Sequence, residues 1–448
     1  MLPRLRELER AFAGELVVIG VHSAKFPAEG VSANLRATIQ RLGLHHPVVN
    51  DADHAIWDQY VVRAWPTLMF VDPRGYLFGK HEGEFPLDAV RRLLADAVTR
   101  FDAEAAIDRR PVPAAPLPPG GEILRFPGKV LAAVDGGRDH LFIADSGHHQ
   151  VVVTTLTGTI TKVYGDGTAG LVDGALGTAR FNQPLGLALD IDGETLYVAD
   201  SENHAIRAIA LRSGRVTTVV GTGQQASNRK GDGAAREIAL SSPWDIAIDG
   251  DRLWLAMAGT HQLWTLDLRT GQIAVAAGTG AESIHDGPPL EATFAQPSGL
   301  AIHDGDVYVA DSESSAVRRV SEREGRVRRL LGRGLFEFGD VDGTGDQARL
   351  QHPLGITIDA TGGSPIVYLA DTYNDNIKRL DPATRQVTTL TGGNAGHIDG
   401  PLAQARFWEP SGLSYARGRL YVSDTNNHVI RVVDLDAGTV ETLEVRDG

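Results

Sequence analysis

Residues 196–207 read LYVADSENHAIR, and the pattern returns as LFIADSGHHQVV (141–152), LWLAMAGTHQLW (253–264), VYVADSESSAVR (307–318), VYLADTYNDNIK (367–378) and LYVSDTNNHVIR (420–431). Its fifth position is Asp145, Asp200, Met257, Asp311, Asp371 and Asp424, spaced 53 to 60 residues apart. That period is too long for a solenoid repeat and suits a small sheet or propeller blade. Asp-Gly pairs at 173, 232, 286, 342 and 399 each stand 11 residues before a proline: Pro184, Pro243, Pro297, Pro353 and Pro410. Within a unit, turn signals separate four short apolar runs; in the second these are Gly186–Asp190, Leu196–Ala199, Ala205–Leu211 and Arg215–Val220. A lone four-stranded sheet leaves two apolar faces in water, and six sheets stacked radially cover them. The repeat therefore predicts a six-bladed all-β propeller over 122–448. The last blade is expected to pack on the first without strand exchange, with GEILRF (121–126) as a candidate extra edge strand.

Seven residues after the landmark stand Arg207, Arg318, Lys378 and Arg431, with Val152 and Trp264 as exceptions. An Asp and an Arg at that separation face each other across a tight hairpin, so a cross-turn ion pair is the simpler reading of Asp145, Asp200, Asp311, Asp371 and Asp424. The third unit replaces both members, with Met257 and Trp264, as a pairing requires. The other reading puts these carboxylates, with His149, His204, His261 and His428, around a channel mouth that takes a polar ligand or cation. Departures from the repeat are further ligand-face candidates: Asp245 after Trp244, where other units have x-Gly, Met257, and Trp408. No H-x-H or HExxH spacing indicates zinc, so the expectation is no metal and no cofactor, with Ca²⁺ or Zn²⁺ in the channel unsupported.

The Asn-His-Leu position, Asn203-His204-Ala205 and Asn427-His428-Val429 here, makes residues 122–448 resemble the NHL repeat family, and the ADS/ADT turn, the downstream Arg and the Asp-Gly to Pro spacing all match.

The 448 residues contain no cysteine, which excludes disulfides, thiolate metal sites and thiol nucleophiles in this chain. The formal charge is −14. Up to residue 120 there are 14 Lys and Arg against 15 Asp and Glu, and beyond it 29 against 42, so the propeller owns the excess acidity. Nucleic acid is an unfavourable partner for such a surface, because affinity for it rests on cations neutralising phosphates. Arg318–Arg329 leaves one basic strand. A protein or a small polar or cationic ligand is the expected partner. The apolar run Leu16–Gly20 is too short for a signal peptide or a span, which predicts a cytoplasmic protein with no membrane segment.

Residues 1–100 alternate helical and strand patterns: a helix over 2–14, a strand from Leu16 to Val21, helices over Val31–Leu42 and Ala55–Val62, a strand and turn through Trp65-Pro66-Thr67 to Gly75, a returning strand Tyr76–His81 and a helix Leu87–Val98. Residues 101–121 are rich in Pro and Ala and predict an extended linker. The first segment resembles the second half of a thioredoxin fold, its Trp-Pro-Thr matching that family's cis-proline strand at Pro66 and its DPRG the following hairpin. With VIGVHSAKFP (18–27) and HPVVNDAD (46–53), the whole chain resembles the NHL repeat-containing protein 2 family. That resemblance implies a multidomain chain, an incomplete thioredoxin-like α/β domain before the propeller. The family's paired cysteines precede the helix with which this sequence begins, so the resemblance implies a truncated domain. Either the start lies further upstream or the domain is a packing piece.

The leading expectation is a non-catalytic binding scaffold whose propeller loop face recognises a protein or small polar ligand. The first alternative is a thiol–disulfide oxidoreductase type whose cysteine motif is missing from this chain. The second is a metal-dependent propeller lyase or lactonase.

Overall fold

The computed structural model describes residues 2–110, 112, 121–134, 139–226 and 231–448. The chain divides into two units, Met1–Pro119 and Gly120–Gly448.

In the second unit, six antiparallel sheets follow one another, each with its four main strands in sequence order. Blade 2 comprises Pro184–Leu189, Thr195–Asp200, Ala205–Ala210 and Arg215–Val220, close to the runs read from sequence. The inner strands of the six blades are Pro127–Ala133, Pro184–Leu189, Pro243–Asp249, Pro297–His303, Gly355–Asp359 and Pro410–Ala416. Apolar residues alternate along each strand so that neighbouring blades share a core. Phe142, Val151 and Val153 of blade 1 pack with Leu187, Val198 and Val216 of blade 2. The same packing closes the ring, with Leu141 and Ile143 of blade 1 against Tyr421 and Ile430 of blade 6.

Blades 1, 2 and 4 have the expected four strands, and blades 3, 5 and 6 have five. The Asp-Gly segments lie along the outer edge of their own blade. They form short fifth strands at Gly233–Ala234, Gly343–Thr344 and Gly400–Pro401 and single bridges at Gly174 to Val216 and Gly287 to Val327. Their function is to cover unpaired backbone on the outermost strand. Blade 1 receives the C-terminal tail instead: Ile160 N–H donates to Arg446 O at 2.8 Å and Arg446 N–H to Gly158 O at 3.0 Å. The candidate edge strand at 121–126 does not form; those residues bend, and Leu124 and Phe126 are buried in the ring.

The first unit has helices α1 (Leu2–Ala11), α2 (Ser32–Leu42), α3 (Ala55–Gln59) and α4 (Leu87–Ala103), with strands β1 (Gly20–His22), β2 (Val48–Asn50), β3 (Thr67–Val71) and β4 (Leu77–Glu82). β1 pairs parallel with β2, and β3 antiparallel with β4. Leu8, Phe85, Val90 and Leu94 form its core. The expected strand over Leu16–Val21 shortens to Gly20–His22. α4 runs through Ala103, so the boundary at 100 falls inside a helix and the linker expected at 101–121 begins later; its residues 111 and 113–120 lie outside the described residues. The Trp65–Pro66 peptide is cis. Trp65 Nε1 donates to Ser23 O at 2.9 Å, its ring lies 4.5 Å from that of Trp57, and Ser23 Oγ donates to the buried Asp51 at 2.7 Å.

Candidate functional site

Each landmark Asp ends the second strand of its blade and opens a single 3-10 turn, such as Ser201–Asn203. Asp200 is wholly enclosed. Its Oδ1 accepts the Asn182 N–H at 2.7 Å, and its Oδ2 accepts from Asn203 Nδ2 at 2.8 Å and Arg207 Nη1 at 2.9 Å. The buried Arg207 is shared. Nη2 donates to Asp173 Oδ1 at 2.9 Å, from the Asp-Gly segment, and the guanidinium stacks 5.0 Å from the Phe181 ring. Blade 6 repeats this with Asp424, Arg431, Asp399 and Phe407. Blade 4 repeats it with Asp311, Arg318, Asp286 and Phe294, the Asp311 contact stretched to 3.6 Å. In blade 5 Lys378 turns to Asp340 at 2.6 Å and Asp342 at 3.0 Å, while Asp371 accepts from Asn374.

The five landmark carboxylates are enclosed and do not line a channel mouth. Burial pushes Asp200, Asp311 and Asp424 up to about 6 and Asp371 to about 7, against the pull of the cation beside each. Blade 1 has no base at Val152; Asp145 instead takes His148 Nδ1 at 2.8 Å and Gln150 Nε2 at 2.9 Å. The bond to Asp145 raises the His148 pKa. In blade 3 Met257 and Trp264 are buried core. Met257 therefore offers nothing to a ligand, and the Trp264 ring fills the space an arginine takes elsewhere.

The histidines join blades. The residue before each inner-strand proline adopts a left-handed backbone: Phe126, Gln183, Ser242, Gln296, His352 and Glu409, with φ between 47° and 59°. Its N–H cannot reach a strand partner and donates to the preceding blade. Gln183 N–H reaches His149 Nδ1 at 3.2 Å, Ser242 reaches His204 at 3.1 Å, Gln296 reaches His261 at 3.1 Å and Phe126 reaches His428 at 3.0 Å. Where histidine is absent, Ser315 Oγ and Asp375 Oδ1 accept instead, from His352 and Glu409. These accepting residues are also left-handed, φ 49° to 60°. Ser and Thr hydroxyls add a second bond at the same junctions, such as Ser201 Oγ to Pro243 O at 2.5 Å and Thr425 Oγ1 to Pro127 O at 2.8 Å.

Asp245 is on an inner strand, not on the loop face. Its Oδ2 lies 3.6 Å from Lys129 Nζ, a partner that the sequence reading missed. Trp408 is half-buried on the turn face, its N–H donating to Asp424 Oδ1 at 2.8 Å. Among the described residues, no group of three or more His, Asp or Glu stands where it could hold a metal ion, and no helix is long and apolar enough to cross a membrane.

The NHL repeat profile matches residues 181–209, 294–319 and 407–433, each spanning a landmark turn of blades 2, 4 and 6. The second unit is an NHL-repeat β-propeller. The NHL chain is 40% identical to NHL repeat-containing protein 2 of Homo sapiens over 99% of its own length and 66% of that protein's, so it spans just under two thirds of this relative. It is 38% identical to Protein SUPPRESSOR OF QUENCHING 1, chloroplastic, of Arabidopsis thaliana, over its whole length and 44% of that protein. Among solved structures, a protein of unknown function from Bacteroides thetaiotaomicron superposes with a TM-score of 0.51 at 17% identity, covering 70% of this chain and 71% of that one. That likeness speaks to fold alone.

Proposed function

We propose that the chain is a non-catalytic interaction module whose NHL propeller docks a protein partner on the face carrying the Asp-Ser-x-Asn-His turns. The observation that supports this reading is how the repeat's reactive groups are spent. The landmark carboxylates, their arginines and the histidine Nδ1 atoms are bonded within or between blades. The residue two after each landmark varies instead: Gly147, Glu202, Gly259, Glu313, Tyr373 and Asn426. Its N–H is fixed to the same loop in each blade, as Glu202 to Asn182 O and Asn426 to Trp408 O, so one framework carries a changing residue, partly exposed as Glu202, Glu313 and Tyr373 and buried as Asn426. With the propeller's acidity, that set favours a cationic partner surface.

We read the first unit as thioredoxin-like, on its helix and strand order and the cis Trp65–Pro66 junction entering the β3–β4 hairpin. Without cysteine it carries no thiolate for exchange. A photo-crosslinking residue at Glu202, compared with one at Ile191 on an exposed turn that follows an inner strand, tests the docking reading in the native host. Adducts from Glu202 and none from Ile191 are expected; the reverse pattern sinks it.

A further inference from the structure

The inner strands line an open channel of about 450 Å³, inside the range of small-molecule sites. At the residue two after the inner-strand proline, the blades crowd together. Gly186, Gly299 and Gly412 each have neighbouring backbone 2.5 to 2.6 Å from where a Cβ would stand. Gly355 has it at 2.7 Å. Blades 1 and 3 carry Lys129 and Asp245 at this position. Lys129 Nζ donates across the ring to Leu354 O of blade 5 and stands 3.6 Å from Asp245. Each oxygen of Asp245 already accepts one backbone N–H: Oδ1 that of Ile246 and Oδ2 that of Leu300, each at 2.9 Å. An ammonium has three donors, and one firm acceptor plus one long contact leave donor capacity at this end of the cavity.

The rest of the wall adds to the surplus. Ala132 N–H donates to Ser414 Oγ at 2.9 Å, and Tyr415 N–H to Thr357 Oγ1 at 3.1 Å, each the side chain of the preceding blade. At the other four junctions that side chain is Leu131, Ala188, Ala247 or Ala301, none with an acceptor for the equivalent N–H of Leu189, Ile248, Ile302 or Ile358. Leucines and isoleucines line the same space. Backbone donors and one ammonium interleaved with aliphatic side chains suit an amphiphilic acceptor.

We propose that the channel binds a small monocarboxylate with a short apolar chain, its carboxylate meeting Lys129. This site is separate from the docking face, and its failure leaves the docking reading untouched. Calorimetric titration of the full chain with sodium hexanoate, hexan-1-ol and hexylamine tests it. Hexanoate is expected to bind at least tenfold more tightly than the alcohol or the amine. Lys129→Met/Asp245→Leu, which removes the pair together so that neither charge is left buried alone, is expected to weaken hexanoate at least tenfold. Ala247→Leu fills the channel, keeps the pair and is expected to do the same. No hexanoate binding, equal binding of the alcohol or amine, or unchanged binding by both variants would overturn the proposal.

Discussion

The N–H of Phe126 donates to His428 Nδ1 at 3.0 Å, joining residues 302 positions apart and fastening blade 1 to blade 6. Every neighbouring pair of blades has the equivalent joint, with a histidine accepting at four and Ser315 or Asp375 at the other two, so the ring closes with the joint it uses throughout. Replacing His428 with Ala leaves a left-handed, enclosed N–H without its acceptor, a loss of about 1–3 kcal/mol. His428→Ser is expected to recover part of it, because Ser315 holds the equivalent joint between blades 4 and 5. Urea unfolding of the two variants checks the order; equal losses would show that the imidazole acts by packing against Phe126 rather than by accepting its proton.

The arginine clasps carry a larger penalty. Arg207→Met leaves Asp200 and Asp173 facing a gap, and breaking a buried pair from one side costs about 3–5 kcal/mol. Removing Asp200 as well, as Asp200→Leu/Arg207→Met, is expected to cost less than Arg207→Met alone, since blade 3 holds an apolar version of the same site. A double-mutant cycle by chemical denaturation reads the coupling.

That apolar version depends on a third residue. A Cβ at Gly231 would stand 2.1 Å from the Trp264 ring, in the segment that carries Val172 in blade 2 and Ile398 in blade 6. Gly231→Ala is therefore expected to lower the melting temperature by several degrees, and Trp264→Leu to restore part of it by making room. A Gly231→Ala protein as stable as the parent would mean that the ring shifts freely.

How much of this was legible depends on where a partner lies. The Asp–Arg pairing shows in sequence because both residues sit in one hairpin and disappear together at Met257 and Trp264. The histidines give no such sign. Each bonds a backbone N–H at least 34 residues away, and the left-handed residue that offers it is Gln183, Ser242 or Gln296 rather than a telltale glycine. Asp245 stood out as a departure from glycine, but its side of the strand did not. Its partner Lys129 comes from a blade whose Gly128-Lys129 shifts the glycine by one and hides the equivalence. In the first unit, Leu16 to Ile19 have the composition of a strand, yet among the described residues only Gly20–His22 pairs, with Val48–Asn50.

The blade 5 to blade 6 joint responds to pH. Asp375 Oδ1 accepts the Glu409 N–H at 2.8 Å. Burial, with the Glu409 and Asp424 carboxylates nearby, pushes Asp375 up to about 7 from 3.8. The native state thus holds this proton more tightly than the unfolded chain does. Its contribution to stability is complete below pH 3.8 and is lost as the pH rises through about 7. Asp375→Asn keeps the accepting oxygen and removes the charge. The variant is expected to match the parent below pH 3.8 and to melt several degrees higher at pH 8, with the gap opening between 3.8 and about 7. Thermal melts across that range decide it, and a gap that is constant with pH would place the titration on another group.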